Sequence, residues 1–178
     1  MNWTISGTLD VQEVTDAQHL LAGSVKQALA EAAGDVGVAA IDPDLADTAA
    51  FCEHYGVPLR ASANCVIVAG KRGQDVTYAA CLALATTRVN VNTVVRKRLQ
   101  ARKASFAPMD EAVRLTGMEY GGITPIGLPA DWPILLGPDV AAAEELVVGS
   151  GIRGSKVLVT GAFLASLPGA EVVEGLAG

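Results

Sequence analysis

Asn64-Cys65-Val66-Ile67-Val68-Ala69-Gly70-Lys71-Arg72-Gly73-Gln74-Asp75-Val76-Thr77-Tyr78-Ala79-Ala80-Cys81-Leu82-Ala83-Leu84 is the stretch on which the fold turns. Two apolar runs, 64–70 and 75–84, flank Lys71-Arg72-Gly73. Short apolar runs around a glycine-bearing tip read as a β-hairpin. Before it, Thr15 and Gln18 have capping-box spacing, and Leu20, Leu21, Val25, Ala28, Leu29 and Ala32 form one apolar stripe. A helix starting at Thr15 and ended by Gly34 follows from that pattern. Val36 to Ile41 reads as a strand. Asp42-Pro43 supplies an N-cap and first-turn proline for a helix that runs through Tyr55 to Gly56.

After the hairpin, residues 92–103 read as a helix with Val95 and Leu99 inward and most of its bases outward. Ala104 to Ala107 is a strand, and Pro108 opens a short helix closed by Gly117. Gly121 to Pro129 is a loop. Trp132 to Leu136, Leu146 to Gly149 and Lys156 to Thr160 are strands, with helical pieces at 139–145 and 162–167. Helices and strands do not alternate regularly, so the class is α+β and not a doubly wound parallel sheet.

With 178 residues, 51% of them hydrophobic, the chain suits one domain, 1–178, with a full core. No apolar run approaches the roughly 18–20 residues that cross a bilayer, and the first residues lack the pattern of a signal peptide. A cytoplasmic protein without a membrane partner is the expectation. Cys52, Cys65 and Cys81 show no CxxC spacing and read as buried reduced thiols. His19 and His54 are too few for an ordinary zinc site, and neither Ser nor Cys sits in a nucleophile-elbow motif. No metal or other cofactor is implied.

The net charge of −6 argues against a general nucleic-acid binder, but it is unevenly spread. Residues 1–57 hold nine acidic groups and a single base, Lys26. Residues 88–114 hold seven bases against Asp110 and Glu111. A local basic patch on an acidic protein either docks a phosphate backbone or is a solvated helix face.

The order of elements carries a resemblance. Gly-Val-Pro after a helix, the strand entry Ala63-Asn64-Cys65-Val66-Ile67-Val68, a hairpin and a helix ending Leu115-Thr116-Gly117 precede Gly121-Gly122-Ile123-Thr124-Pro125-Ile126-Gly127. The turn Val148-Gly149-Ser150-Gly151 follows. This order resembles the YbaK/EbsC family of prolyl-tRNA-synthetase-associated editing domains over residues 44–174, with 1–40 an N-terminal elaboration. The most specific element is the Gly121–Gly127 loop, which fits the family's GxxxP signature.

The resemblance implies a mixed, partly closed β-sheet surrounded by helices, and hydrolysis of the ester that links a wrong amino acid to tRNA. A glycine loop lets backbone N–H groups approach that ester without a Cβ in the way. Such donors stabilise an oxyanion by about 3–4 kcal/mol each in other enzymes. Gly121, Gly122 and Thr124 are the implied donors, Thr124 standing where the family has Ser, and Pro125 stiffens the loop exit. The family's lysine falls on Asn64, a neutral amide that orients water or ribose but carries no charge. Lys71 and Arg72 lie about 20 Å away along an extended strand and are poor substitutes. Gly137 occupies the place of a family Asp, and Asp139 is the nearest stand-in. Tyr120 is a candidate pocket wall, and Arg96, Lys97 and Lys103 are candidate contacts for tRNA phosphates.

Two functions remain open at this level. One is a deacylase acting in trans on aminoacylated tRNA. The other is a non-catalytic module that binds a tRNA 3′ end, a nucleotide or an amino-acid-like ligand, the loss of the lysine having ended turnover. A synthetase docked on the basic face and a homodimer are further candidate assemblies.

Overall fold

The structure is a computed structural model and describes residues 1–32 and 35–178. It consists of two sheets with helices on their outer sides and in the connections. The first sheet runs β1 (Val11–Glu13), β2 (Gly37–Ala40), β8 (Ser155–Val159) and β7 (Leu146–Gly149), all antiparallel. The second runs β5 (Lys103–Phe106), β3 (Ala63–Arg72), β4 (Asp75–Leu84), β6 (Ile134–Leu136) and β9 (Ala170–Val172). Within it β5, β3 and β4 pair antiparallel, while β6 joins β4 and β9 in parallel. A parallel bridge between Ser62 and Val147 links the sheets. The α+β class therefore holds, and the mixed sheet of the sequence reading is two sheets touching at one edge.

Period-two alternation sorts the side chains into layers. Val38, Val148, Val157 and Val159 of the first sheet face Ile67, Ala80, Leu82, Ile134 and Leu136 of the second across the main core. Their neighbours point outward. Ala39, Val147 and Leu158 pack on Phe51 and Cys52 of α2 (Thr48–Tyr55). Val68, Ala79, Cys81 and Leu135 pack on Val95 and Leu176.

The hairpin forms as its sequence dictates, with Arg72 opposite Asp75 and Gly73 at φ 63 in the tip. Elsewhere local signals lose to tertiary pairing. The helix expected from Thr15 begins eight residues later as α1 (Gly23–Ala30), after two 3-10 turns. The chain is extended at Leu21 and Ala22, where the Ala22 amide bonds the Ser150 carbonyl at 3.2 Å and ties the segment to the β7–β8 turn. The expected stop at Gly34 lies outside the described residues. Asp42-Pro43 opens only a 3-10 turn, Pro43–Leu45, and Asp47 caps α2 by accepting from the Ala50 amide.

The helix expected over 92–103 is a π-helical turn, Val91–Val95, followed by α3 (Arg96–Arg98). Gln100 at φ 53 then reverses the chain, and the Arg102 amide bonds the Lys71 carbonyl at 2.9 Å. The open edge of β3 captures residues 103–106 as β5, so Lys103 lies on a strand. Trp132 lies ahead of β6, stacked on Tyr78 with ring centroids 5.2 Å apart. Three helices complete the chain: α4 (Met109–Thr116), α5 (Pro138–Ala141) and α6 (Gly161–Ala165). No described helix is long and apolar enough to cross a membrane.

Candidate active site

A cavity of about 480 Å³ opens where the two sheets meet. The entry to α2 (Ala46–Thr48), the start of β3 (Ala63–Ile67), Phe106 at the end of β5 with Ala107 after it, Ala112 of α4, Tyr120, Gly121 and Ile123, and Gly149 with Lys156 form its wall. Of the residues named from the sequence, Asn64, Tyr120 and Gly121 are brought together in this wall. Gly122, Thr124, Pro125 and Asp139 are not in the wall.

The loop 121–125 is held by its neighbours rather than by regular pairing. The Arg153 guanidinium donates to the Tyr120 carbonyl at 3.2 Å and to the Pro43 carbonyl at 3.0 Å, and the Arg153 amide donates to Glu119 at 2.8 Å. Gly122 lets the loop lie against the turn between β7 and β8, since a Cβ there would sit 2.5 Å from the Ile152 carbonyl. A Cβ on Gly149 would in turn meet the Gly122 carbonyl at 2.5 Å. Both positions need glycine for close backbone approach.

This packing divides the loop's donors. The Gly122 amide is spent on the Glu119 carbonyl at 3.0 Å. The amides of Gly121 and Ile123, both in the cavity wall, have no acceptor among the described residues. Gly121 and Ile123 are therefore the loop residues of the wall whose amides remain unpaired. Thr124 is fully buried, and its hydroxyl has no hydrogen-bond partner among the described residues. Pro125 is buried beside it. The Asp139 carboxylate accepts from the Val140 amide at 2.9 Å, at the start of α5.

Asn64 is oriented by the first residue of α2. The Thr48 hydroxyl donates to Asn64 Oδ1 at 2.7 Å, which leaves Nδ2 as a donor without an acceptor among the described residues. Cys65 also borders the cavity, but burial, with Cys81 nearby, pushes its thiol far above the ordinary range, so it is no nucleophile at neutral pH. At the mouth stand Phe106, 58% exposed, and Tyr120, 53% exposed.

Lys156 was missed in the sequence. It is 8% exposed in β8, its ammonium 3.3 Å from the Ala46 carbonyl and 5.2 Å from the Phe51 ring centre. Desolvation lowers its pKa; Cys52 and Asp47 oppose that shift and Arg153 adds to it. The legible signal was alternation: Lys156 shares a face with Leu158 in the strand Ser155–Val159, whose last three residues are apolar, which places a charge where burial is expected.

The basic residues lie beyond the cavity along β5. Lys71, Arg96, Arg102 and Lys103, with Asn92, Ala104 and Ser105, line a groove of about 500 Å³. Lys71 sits directly opposite Lys103 in the β3–β5 pairing. Among the described residues, Arg96 bonds only the neutral carbonyls of Asn92 and Ala101. Lys97 is exposed on the same segment but outside the groove. The ion pair found among the described residues, Arg98–Glu171 at 2.6 Å, involves none of the groove's bases.

The model of the aminoacyl-tRNA editing domain matches residues 42–167 of the chain. Among solved structures, a candidate trans-editing enzyme for prolyl tRNA synthetase is 20% identical with a TM-score of 0.73, the match covering 86% of this chain and 94% of that one. Hypothetical protein APE2540 is 17% identical with a TM-score of 0.76, over 87% and 99% of the two chains. At these identities the likeness speaks for the fold alone.

Proposed function

Since this chain belongs to the aminoacyl-tRNA editing domain family, we propose that it hydrolyses the ester joining a wrongly attached amino acid to the terminal ribose of a tRNA. It acts in trans, in the cytoplasm, as a guard of translation fidelity. The observation that carries this reading is the pair of unpaired amides, Gly121 and Ile123, in the wall of the cavity that Asn64 also lines.

In the reaction, water adds to the carbonyl carbon and the bond from that carbon to the ribose oxygen breaks. One water proton ends on the ribose oxygen, and the other leaves the new carboxylic acid. The two amides donate to the carbonyl oxygen as charge builds on it, where each fixed donor is most effective. Asn64 Nδ2, with its orientation set by Thr48, holds the ribose hydroxyl or the attacking water. Phe106 and Tyr120 offer rings at the mouth for stacking of the terminal base. The groove around Lys71, Arg96, Arg102 and Lys103 takes the phosphates that precede it, and the exposed Lys97 borders their path. The likeness to a candidate trans-editing enzyme for prolyl tRNA synthetase makes tRNAs mischarged by that synthetase the first substrates to try.

Purified protein should accelerate deacylation of at least one tRNA carrying a wrong small amino acid, and Asn64→Ala should slow it. If every member of a misacylated panel decays at the rate seen in buffer, the proposal fails. Hydrolysis that appears only in Asn64→Lys would instead mark the natural protein as a binder.

A further inference from the structure

We propose that Lys156 is a catalytic residue of this cavity, its ammonium donating to the ester carbonyl oxygen alongside the Gly121 and Ile123 amides. The inference rests on the editing reading and adds to it a charged group on a different strand from Asn64.

Four observations place it there. Lys156 lines the cavity, and it is the only cation among the described lining residues, Asp47 being the only anion. In the sheet it stands opposite Gly149 on one side and Ala39 on the other, so small neighbours leave room for its stem on that face. That same face is the one from which a Cβ on Gly149 would run into the Gly122 carbonyl at 2.5 Å and the Ile123 carbonyl at 2.7 Å. The lysine therefore shares the side of the sheet that the glycine loop covers. Finally, an ammonium has three donors, and the structure pairs one of them, with Ala46 at 3.3 Å. The other donors have no acceptor among the described residues.

A buried lysine with unfilled donors is costly unless something completes its shell. The Phe51 ring beneath it, with its centre 5.2 Å away, contributes a weak cation–π interaction and no acceptor. What fits is an oxygen that becomes negative during the reaction. The ammonium stays protonated throughout and transfers nothing; it offsets the charge that develops on the carbonyl oxygen. Its charged neighbours are known: Asp47 and the Cys52 thiol favour the ammonium, while burial and Arg153 disfavour it. The net effect moves its titration below that of an ordinary lysine, so the active, charged form is lost at lower pH than 10.5.

The test compares the full-length wild type with Lys156→Met in single-turnover deacylation of a mischarged tRNA, corrected for spontaneous decay, across pH. Met keeps the stem volume and removes the buried charge. The expected outcome is a variant with a Tm no lower than wild type, a rate reduced about 10²–10³-fold, and no alkaline limb in its pH profile. A wild type that hydrolyses the ester while Lys156→Met stays within about threefold of it overturns the role of Lys156 and leaves the editing reading intact. A wild type that neither hydrolyses nor binds aminoacylated tRNA overturns both. Should the variant fail to fold, the wild type alone decides. With [13Cε]lysine labelling, the resonance of Lys156, recognised by its titration below 10.5, should shift on adding a 3′-aminoacylamido-adenosine, an uncleavable mimic of the charged end. A resonance that does not respond to that ligand overturns the assignment.

Discussion

Thr124 shows how a single hydroxyl is judged by what surrounds it. Its side chain is fully buried behind the cavity wall, and Oγ1 has no partner among the described residues. A buried hydroxyl left unsatisfied costs about 1–3 kcal/mol relative to a shape-matched apolar group. Thr124→Val should therefore raise the urea unfolding midpoint, by roughly 1 kcal/mol of stability, with deacylation retained. Activity abolished at unchanged stability would return the hydroxyl to the substrate, as its place in the loop sequence first implied. Gly122 makes the complementary point. Its amide is occupied by Glu119 and the space of its missing Cβ is taken by the Ile152 backbone, so it shapes the loop while the amides of Gly121 and Ile123 stay unpaired.

At the scale of elements, β5 connects the two surfaces the function needs. Lys103 at its start lines the basic groove, and Phe106 at its end lines the cavity, a separation of about 10 Å along a strand. Two lysines directly opposite in an antiparallel pair repel each other, and Lys71 and Lys103 hold that arrangement. A polyanion removes the repulsion. Lys71→Gln should accordingly gain up to about 0.2–1 kcal/mol in stability while binding tRNA more weakly. The slope of log affinity against log salt should fall by about 0.7 for each phosphate that the variant no longer neutralises. An unchanged slope would take Lys71 out of the RNA path. On the opposite side of the second sheet, Arg98 is neutralised by Glu171, so the basic surface is bounded there.

The molecule as a whole couples the site to the core, because both sheets and the helix α2 contribute walls to one cavity. Its pH dependence follows from groups buried in that structure. Burial pushes the Cys81 thiol up to about 12 from 9.0, and the Cys65 thiol is raised further in the same direction. The folded state keeps these protons after the unfolded chain has begun to lose them. The stability this confers is complete below pH 9.0 and drains away as pH climbs toward 12. Lys156 has the opposite sign: its lowered pKa penalises the fold below that pKa, and the penalty lifts as pH approaches 10.5. With two thiols against one lysine, the denaturant midpoint should fall between pH 9 and 12. Each thiol contributes a slope near 1.4 kcal/mol per pH unit. Cys81→Ala should flatten the curve; the same slope in that variant would show that another group governs the transition.

The linear chain by itself determined whatever depends on near neighbours. The hairpin 64–84, the capped stop at Gly56 and the glycine-closed helix at Gly117 are local patterns, and they formed where their residues stand. So did the glycine loop, whereas the meeting of Asn64, Tyr120 and Gly121 around one cavity belongs to the assembled sheets. Tertiary structure decided the rest. Where local pattern alone would wind the Thr15 and 92–103 segments into helices, long-range hydrogen bonds to Ser150 and Lys71 took the chain instead. Which amides stayed unpaired, and that Lys156 would arrive in the cavity 92 positions after Asn64 in the chain, were settled by packing between strands far apart in sequence. A side chain's own neighbours fix its conformation, but only the assembled sheets fix what it faces.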